Sequence, residues 1–263
     1  MWSLKQKVIQ IDEKNKVSYL GNVNSSSKLA KGDKLGVKTY GIYLAPAQIS
    51  GYNVCSHATS GCKSACLYTS GRAKMTDKIP QARILKTKML FEQPERFITI
   101  VKKEITNAAK LAAKKNYDFA VRFNLTSDLP IDNINGVNLL EEFKGVKFYD
   151  YSKVPSRIEL LKKYPNYHLT FSYDGFEKTW KTCEKFLEAG GNVSVVFYPQ
   201  IPKEFKGYKV IDGDVSDVRY MDEKGVLVGL KYKRTKGDSV EKIMTNRFII
   251  KTTFNKETGE YEA

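Results

Sequence analysis

Between residues 118 and 199 the hydrophobic period of the chain switches back and forth, and this alternation limits the fold more than any other feature. The runs DFAVRFN (118–124), VKFYDYS (146–152), YHLTFSYD (167–174) and NVSVVFYP (192–199) are short and rich in β-branched and aromatic residues, as strands are. Between them lie a short helical stretch at 137–143, SRIELLKKY (156–164) and FEKTWKTCEKFLEAG (176–190). Ser156 is placed to cap the start of 156–164, and Gly190 with Gly191 to end 176–190. Strands alternating with helices build βαβ units, whose strands run parallel and whose crossovers are right-handed. The expected fold class is α/β: an open parallel sheet, or a partial or full parallel (β/α) barrel, with extra C-terminal strands.

Upstream, VKTYGIYLAP (37–46) reads as a strand that stops at proline. A helix is expected over 77–92, and a second opens with Pro94 in its first turn. Phe97, Val101, Ile105, Ala108 and Ala112 recur at spacings of three and four and mark the buried face of that second helix. NVNSSSKLAKGDKLG (22–36) is a polar loop or arm. Downstream, residues 208–234 are strand-like with Gly and Asp turns, and NRFIIKTTFNKETGEYEA reads as a terminal strand with a ragged tail. The expectation is one domain: an arm over 1–36, βα units over 37–200, and C-terminal strands and tail over 201–263. A chain of 263 residues can bury a substantial core. No run of about 18 apolar residues suggests a membrane span, and the start, MWSLKQKVIQIDEKNK, lacks the apolar core of a signal peptide. A reducing cytoplasm is therefore the expected compartment.

The strand at 37–46 leads into NVCSHATSGCKSACLYTSGR (53–72), which holds Cys55, Cys62 and Cys66, three of the chain's four cysteines. In a reducing compartment such clustering points to metal or redox chemistry rather than a disulfide frame. Thiolates select iron–sulfur clusters, zinc or copper. Three readings stand side by side. Three thiolates would hold a 4Fe–4S cluster with one iron left open; the small residues Ser56, Ala58, Ser60, Gly61, Ser64 and Ala65 would let the backbone wrap it. Zinc would take His57 as a fourth ligand. Or the cysteines are small buried hydrophobes. Cys183 and His168, in a helix and at a strand start, read as core or surface residues rather than ligands.

The 44 Lys and Arg residues against 29 Asp and Glu give a net charge of +15. That excess suits nucleic acid or a phosphorylated substrate, although lysines spread over a solvated surface give the same total. No Gly-rich phosphate loop, Gly-x-Ser-x-Gly elbow or His-Glu-x-x-His pair is present. A Ser-His-Asp triad would have to use His57 or His168. Asp212, Asp214 and Asp217 fit a turn with a salt-bridged aspartate better than a divalent-ion site.

The stretches SSSKLAKGDKLGVKTYGIYLAP, CKSACLY, VRFNLTSDL, VKFYDYSK and VIDGDVSDVRYMDEKGVLVGLK resemble the gene product 88-like phage proteins over roughly residues 25–235. Two details depart from that family: Leu67 separates Cys66 from Tyr68, and Thr126-Ser127-Asp128 stands where Ser-Gly-Asp is usual. A phage origin would place the protein in the host cytoplasm. The arrangement also resembles radical S-adenosylmethionine (SAM) enzymes, whose three-cysteine loop follows the first strand of a partial barrel. This second resemblance implies a 4Fe–4S cluster on Cys55, Cys62 and Cys66, SAM as small-molecule partner, reductive SAM cleavage, and an external electron donor. The spacing here is six residues then three, rather than that superfamily's three then two.

In βα barrels the C-terminal strand ends form the active site. Here those ends deliver Asn124, Ser127 and Asp128, then Tyr151 and Lys153, then Ser172, then Tyr198. Such a rim suits a zwitterionic ligand bearing a nucleoside. Asp128 is placed for the amino group or ribose of SAM, Lys153 for its carboxylate, and Tyr151 or Tyr198 for stacking on adenine. The other reading is a zinc- or cluster-stabilised nucleic-acid-binding module without catalysis.

Overall fold

The computed structural model describes residues 19–21, 31–66, 68, 78–234 and 238–263. Its strands are β1 (Leu20–Gly21), β2 (Val37–Ile42), β3 (Asp118–Arg122), β4 (Asn133–Ile134), β5 (Val137–Asn138), β6 (Lys147–Ser152), β7 (Tyr167–Ser172), β8 (Asn192–Tyr198), β9 (Glu204–Phe205), β10 (Tyr208–Asp212), β11 (Leu227–Lys231), β12 (Ile249–Lys251), β13 (Thr253–Asn255) and β14 (Glu260–Glu262). Its α-helices are α1 (Ser60–Ser64), α2 (Lys78–Glu92), α3 (Pro94–Lys115), α4 (Leu139–Glu142), α5 (Ile158–Lys163), α6 (Glu177–Glu188) and α7 (Val240–Thr245).

One sheet of ten strands runs in the order β1-β2-β3-β6-β7-β8-β11-β10-β9. The seven from β2 to β10 are mutually parallel, and β1 and β9 pair antiparallel at the two ends. The tenth strand, β12, pairs with the upper half of β8, Ile249 opposite Val196, beyond the point where β7 stops. The expected parallel α/β architecture is present. The sheet is open among the described residues, with no closed barrel.

Side-chain alternation gives this sheet two different faces. Ile42, Val121, Phe148, Leu169, Phe171, Val193, Val195 and Phe197 point toward the helices and share one apolar core with Phe97, Val101 and Ile105 of α3 and Trp180, Cys183 and Phe186 of α6. The predicted apolar stripe of α3 is buried as its spacing requires, and Asn116 ends that helix in the left-handed region at φ 50°. The opposite face carries Thr39, Arg122, Tyr149, His168, Thr170 and Ser194, all buried. The segment around Arg219–Met221 covers part of it. There Val218 packs on Val37, Ala120 and Tyr149, and Asp217 binds Arg122 at 2.7 Å. Burial, with Arg219 and Lys224 nearby, pushes His168 down to about 4, so it stays neutral.

Local details differ from the sequence reading where long-range contacts take over. The strand expected to 46 stops at Ile42, and residue 77 lies outside the described residues, as do 1–18 and 22–30 of the expected arm, whose described parts hold β1 and a 3-10 turn at Lys31–Leu35. Ser156 does not cap a helix. It sits in a 3-10 turn, Pro155–Arg157, and α5 begins at Ile158 without a side-chain cap. The cause is Arg157, whose guanidinium is pulled inward to Asp132 Oδ1 (2.8 Å), Tyr167 Oη (2.7 Å) and the Leu129 carbonyl (2.9 Å). The tail is ordered rather than ragged: β12 enters the main sheet, and β13 and β14 form a hairpin.

Arg157 is buried beside two aspartates, Asp132 and, at 3.7 Å, Asp150. Removing the cation leaves both acids unneutralised in the interior. Arg157→Leu is expected to destabilise the fold by about 3–5 kcal/mol, read as a fall in Tm or denaturant midpoint. Burial pushes the Asp150 carboxyl up to about 6, while Arg157 and Asn124 pull it back. The native state then holds a proton that the unfolded chain releases from about pH 4 upward. The associated stability is present below about pH 4 and lost as pH rises through about 6. Asp150→Asn removes this titration, so wild-type Tm should fall relative to the variant's between those pH values.

Candidate functional site

The site is built where the parallel strands end. Past Ile42 the chain is tied to the loop after β3: Thr126 Oγ1 donates to the Leu44 carbonyl at 2.6 Å, and the Asp128 amide to the Val54 carbonyl at 2.8 Å. The cysteine loop starts from this fixed point. Asn53 accepts from the Cys55 amide at 3.0 Å, forming a tight Asx turn. Thr59 then caps α1 by accepting from the Cys62 amide at 3.2 Å. α1 is a single short helix that contains Cys62, and Cys66 follows its C-cap residue Ala65. Gly61 is required because a Cβ there would strike the side chain of Asn246 and press on Phe248. Asn246 in turn donates to the Gly61 carbonyl and to Ser64 Oγ, both at 3.1 Å. Gly175, at φ +85°, makes room for the Arg247 carbonyl, so residues 246–248 lie against two backbones.

Cys55, Cys62 and Cys66 line one cavity of about 350 Å³. All three are half-buried, and all four cysteines of the chain are present as thiols. Opposite them stand Asn124–Asp128 from the end of β3, Tyr151–Lys153 from β6, Ser172 from β7, Ser194 and Val196 from β8, and Lys231–Lys233 from β11. Of the expected rim residues, Asn124, Ser127, Asp128, Tyr151, Lys153 and Ser172 reach this cavity. Tyr198 does not line it; its ring faces Tyr232 edge-on at 6.5 Å. His57 is exposed, with Nδ1 3.0 Å from Ser56 Oγ, and does not line it either. Among the described residues no group of three or more His, Cys, Asp or Glu side chains is gathered tightly enough to hold a metal ion.

Hydrogen bonds sort these residues into supports and contacts. Asn124 is a support. Its Nδ2 donates to the Leu129 carbonyl (2.9 Å) and Asp150 Oδ2 (3.2 Å), and its Oδ1 accepts from Ser127 (2.8 Å) and the Leu129 amide (3.0 Å). Asp128 clamps the next strand, accepting from Ser152 Oγ at 2.6 Å and the Lys153 amide at 2.8 Å. Tyr151 stacks on the Arg122 guanidinium, 4.5 Å from the ring centroid. Lys153 donates to Ser172 Oγ and holds its ammonium 4.7 Å from the Phe248 centroid. Of the three aspartates in IDGDVSD, Asp217 pairs with Arg122 and Asp214 with Lys233 at 2.9 Å, while Asp212 accepts from the Asp214 amide.

Sequence reasoning did not single out Phe248, Tyr68 or the Lys231–Lys233 run as wall residues. Phe248 and the Lys231 run sit at or beside the ends of strands that join the sheet only through long-range register, so no local pattern marks them.

Burial raises the Cys55 thiol to about 11, and Cys66, Asp128 and Cys62 add to that rise. At pH 8 only about one Cys55 in a thousand is then thiolate. With Cys55 as a free thiol, its iodoacetamide labelling should be slow at pH 8 and rise about tenfold per pH unit up to about pH 10. Peptide mass spectrometry gives the site-resolved rate.

No curated protein and no solved structure matches this chain significantly. The family model for gene product 88 matches residues 6–251. With nearly the whole chain covered, the protein belongs to the gene product 88 family, the phage-type family its motifs resemble.

Proposed function

We propose that this protein is an iron–sulfur enzyme of radical-SAM type, which holds a 4Fe–4S cluster on Cys55, Cys62 and Cys66 and cleaves SAM reductively. One observation carries the reading: three thiols from the loop after the first parallel strand line the same cavity as the C-terminal ends of the strands that follow. The neighbours β2-β3-β6-β7-β8 also stand in chain order with helices packed on one face. A (β/α) barrel left open would have this winding, which supports reading the sheet as a partial barrel.

The donor set suits such a cluster. Three soft sulfurs come from a loop of small residues, with no carboxylate between them in sequence. When bound, a cluster with three protein ligands supplies an electron and an iron with an open coordination position. The chain's own residues provide the rest. Lys153 offers a cation toward the carboxylate of SAM, held in place by Ser172 and Phe248. Asp128 is engaged with Ser152 and Lys153, so it acts by fixing the β6 end, with lone pairs left over for a ribose or amino group. Tyr151 presents an aromatic wall, and Tyr198 lies outside the cavity, so adenine stacking falls to Tyr151. An external donor supplies the electrons.

Anaerobic reconstitution with iron and sulfide should give a brown protein with about four irons per chain. Cys55→Ala, Cys62→Ala and Cys66→Ala should each abolish the colour, while Cys183→Ala, in the core behind the sheet, should keep it. Adding SAM to the reduced protein should shift its electron paramagnetic resonance signal. Lys153→Met should weaken SAM binding about ten- to hundredfold, the loss of a charged hydrogen bond. A colourless protein carrying one zinc would overturn the proposal.

A further inference from the structure

A second cavity, of about 470 Å³, adjoins the thiol-lined one, and Phe248 belongs to both walls. Its other walls are the hydroxyls and backbone of Thr59, Ser60 and Ser64 on the far side of the cysteine helix, the Thr245–Arg247 segment, Lys242 and Phe176. Among the described residues no carboxylate lines it. Lys242 and Arg247 are exposed, and the Arg247 guanidinium lies 5.5 Å from the Phe176 ring centroid. Across Phe248, Lys153 and Lys231 continue the row of cations into the first cavity.

These charges are not consumed within the protein. Neither Lys153, Lys231, Lys242 nor Arg247 forms an ion pair among the described residues. Two acids of the first cavity are ion-paired, Asp217 with Arg122 and Asp214 with Lys233, and Asp128 accepts from the Ser152 hydroxyl and the Lys153 backbone amide. The two cavities thus hold cations without ion-pair partners set against aromatic rings, Arg247 beside Phe176 and Lys153 beside Phe248, with Tyr151 carrying Arg122 on its ring. An acidic peptide would use the cations and leave the rings idle. A strand of nucleotides uses both, placing phosphates on the cations and bases on the rings. The net charge of +15 favours the same polyanion at long range.

We propose that this groove binds single-stranded nucleic acid, threading it past Phe248 so that one nucleotide reaches the thiol-lined cavity. As a binding site the groove stands on its own geometry; as the route of a substrate it rests on the function proposed above.

The test is fluorescence anisotropy with labelled oligo-dT and oligo-rU of about 12 nucleotides, from about 50 to about 200 mM salt. The protein is used as purified, and its iron content is measured on the same sample. The expected result is binding that weakens steeply with salt. Lys242→Glu with Arg247→Glu should reduce affinity about tenfold at the lowest salt and flatten the log–log salt slope by about 1.4, two phosphate contacts at about 0.7 each. Lys110→Glu with Lys114→Glu changes net charge equally, on exposed positions of α3 behind the sheet, and should have little effect. Phe248→Leu should weaken binding about fivefold with the salt slope kept. Circular dichroism checks that each variant is folded. Three results would overturn the proposal: no binding at about 50 mM salt, equal losses from the two charge-reversal pairs, or equally tight binding of labelled polyglutamate. Failure of the cluster reading would show separately, as protein without iron that still binds the oligonucleotide.

Discussion

Asp150 is completely buried, and both its oxygens face Asn124: the backbone amide at 2.7 Å and the side-chain amide at 3.2 Å. An unpartnered carboxylate at that depth would not be tolerated. Satisfying it fixes the chain as it leaves β3. From there the order passes outward through backbone groups. Asn124 folds the 124–129 turn, Asp128 grips the end of β6, and the Asp128 amide holds Val54 at the root of the cysteine loop. Positioning of the thiols is therefore decided beneath the sheet edge, by a residue that does not line the cavity.

The two faces of the sheet divide the work of folding and function. The helix side is filled with Phe, Leu, Ile and Val in a single core, which stabilises the fold without chemistry. The opposite side holds arginines, tyrosines, threonines and a neutral histidine. A polar buried face is costly unless its groups find partners. Here the Asp217–Arg122 bridge and the Tyr151–Arg122 stack supply some of them next to the cavity, while His168 Nε2 and Thr170 Oγ1 have no hydrogen-bond partner among the described residues.

Much of this was legible in the sequence, for a definite reason. In a parallel sheet every strand ends at the same edge, so residues just after each apolar run are neighbours whatever their distance in the chain. That is why Cys55, Asp128, Lys153 and Ser172 could be grouped before their positions were known. The amphipathic stripe of α3 was equally plain, because its period is local. What stayed hidden depends on partners far away. Ser156 looks like a cap until Arg157 is drawn inward by Asp132 and Tyr167. Tyr198 looks like a rim residue until β12 pairs with the top of β8 and Tyr198 turns to Tyr232. The engagement of Asn124 and Asp128 as supports could not be read from residue type, since amides and carboxylates serve ligand and backbone alike.

The insertion of β12 beside β8 has a temporal side. Residues 246–251, which carry Phe248 and close one flank of the cavity, follow every other strand of the main sheet in the chain. On a ribosome the thiols emerge early and that flank emerges late. A nascent chain therefore has an interval in which the cysteines are already in existence while one side of their chamber is still unbuilt.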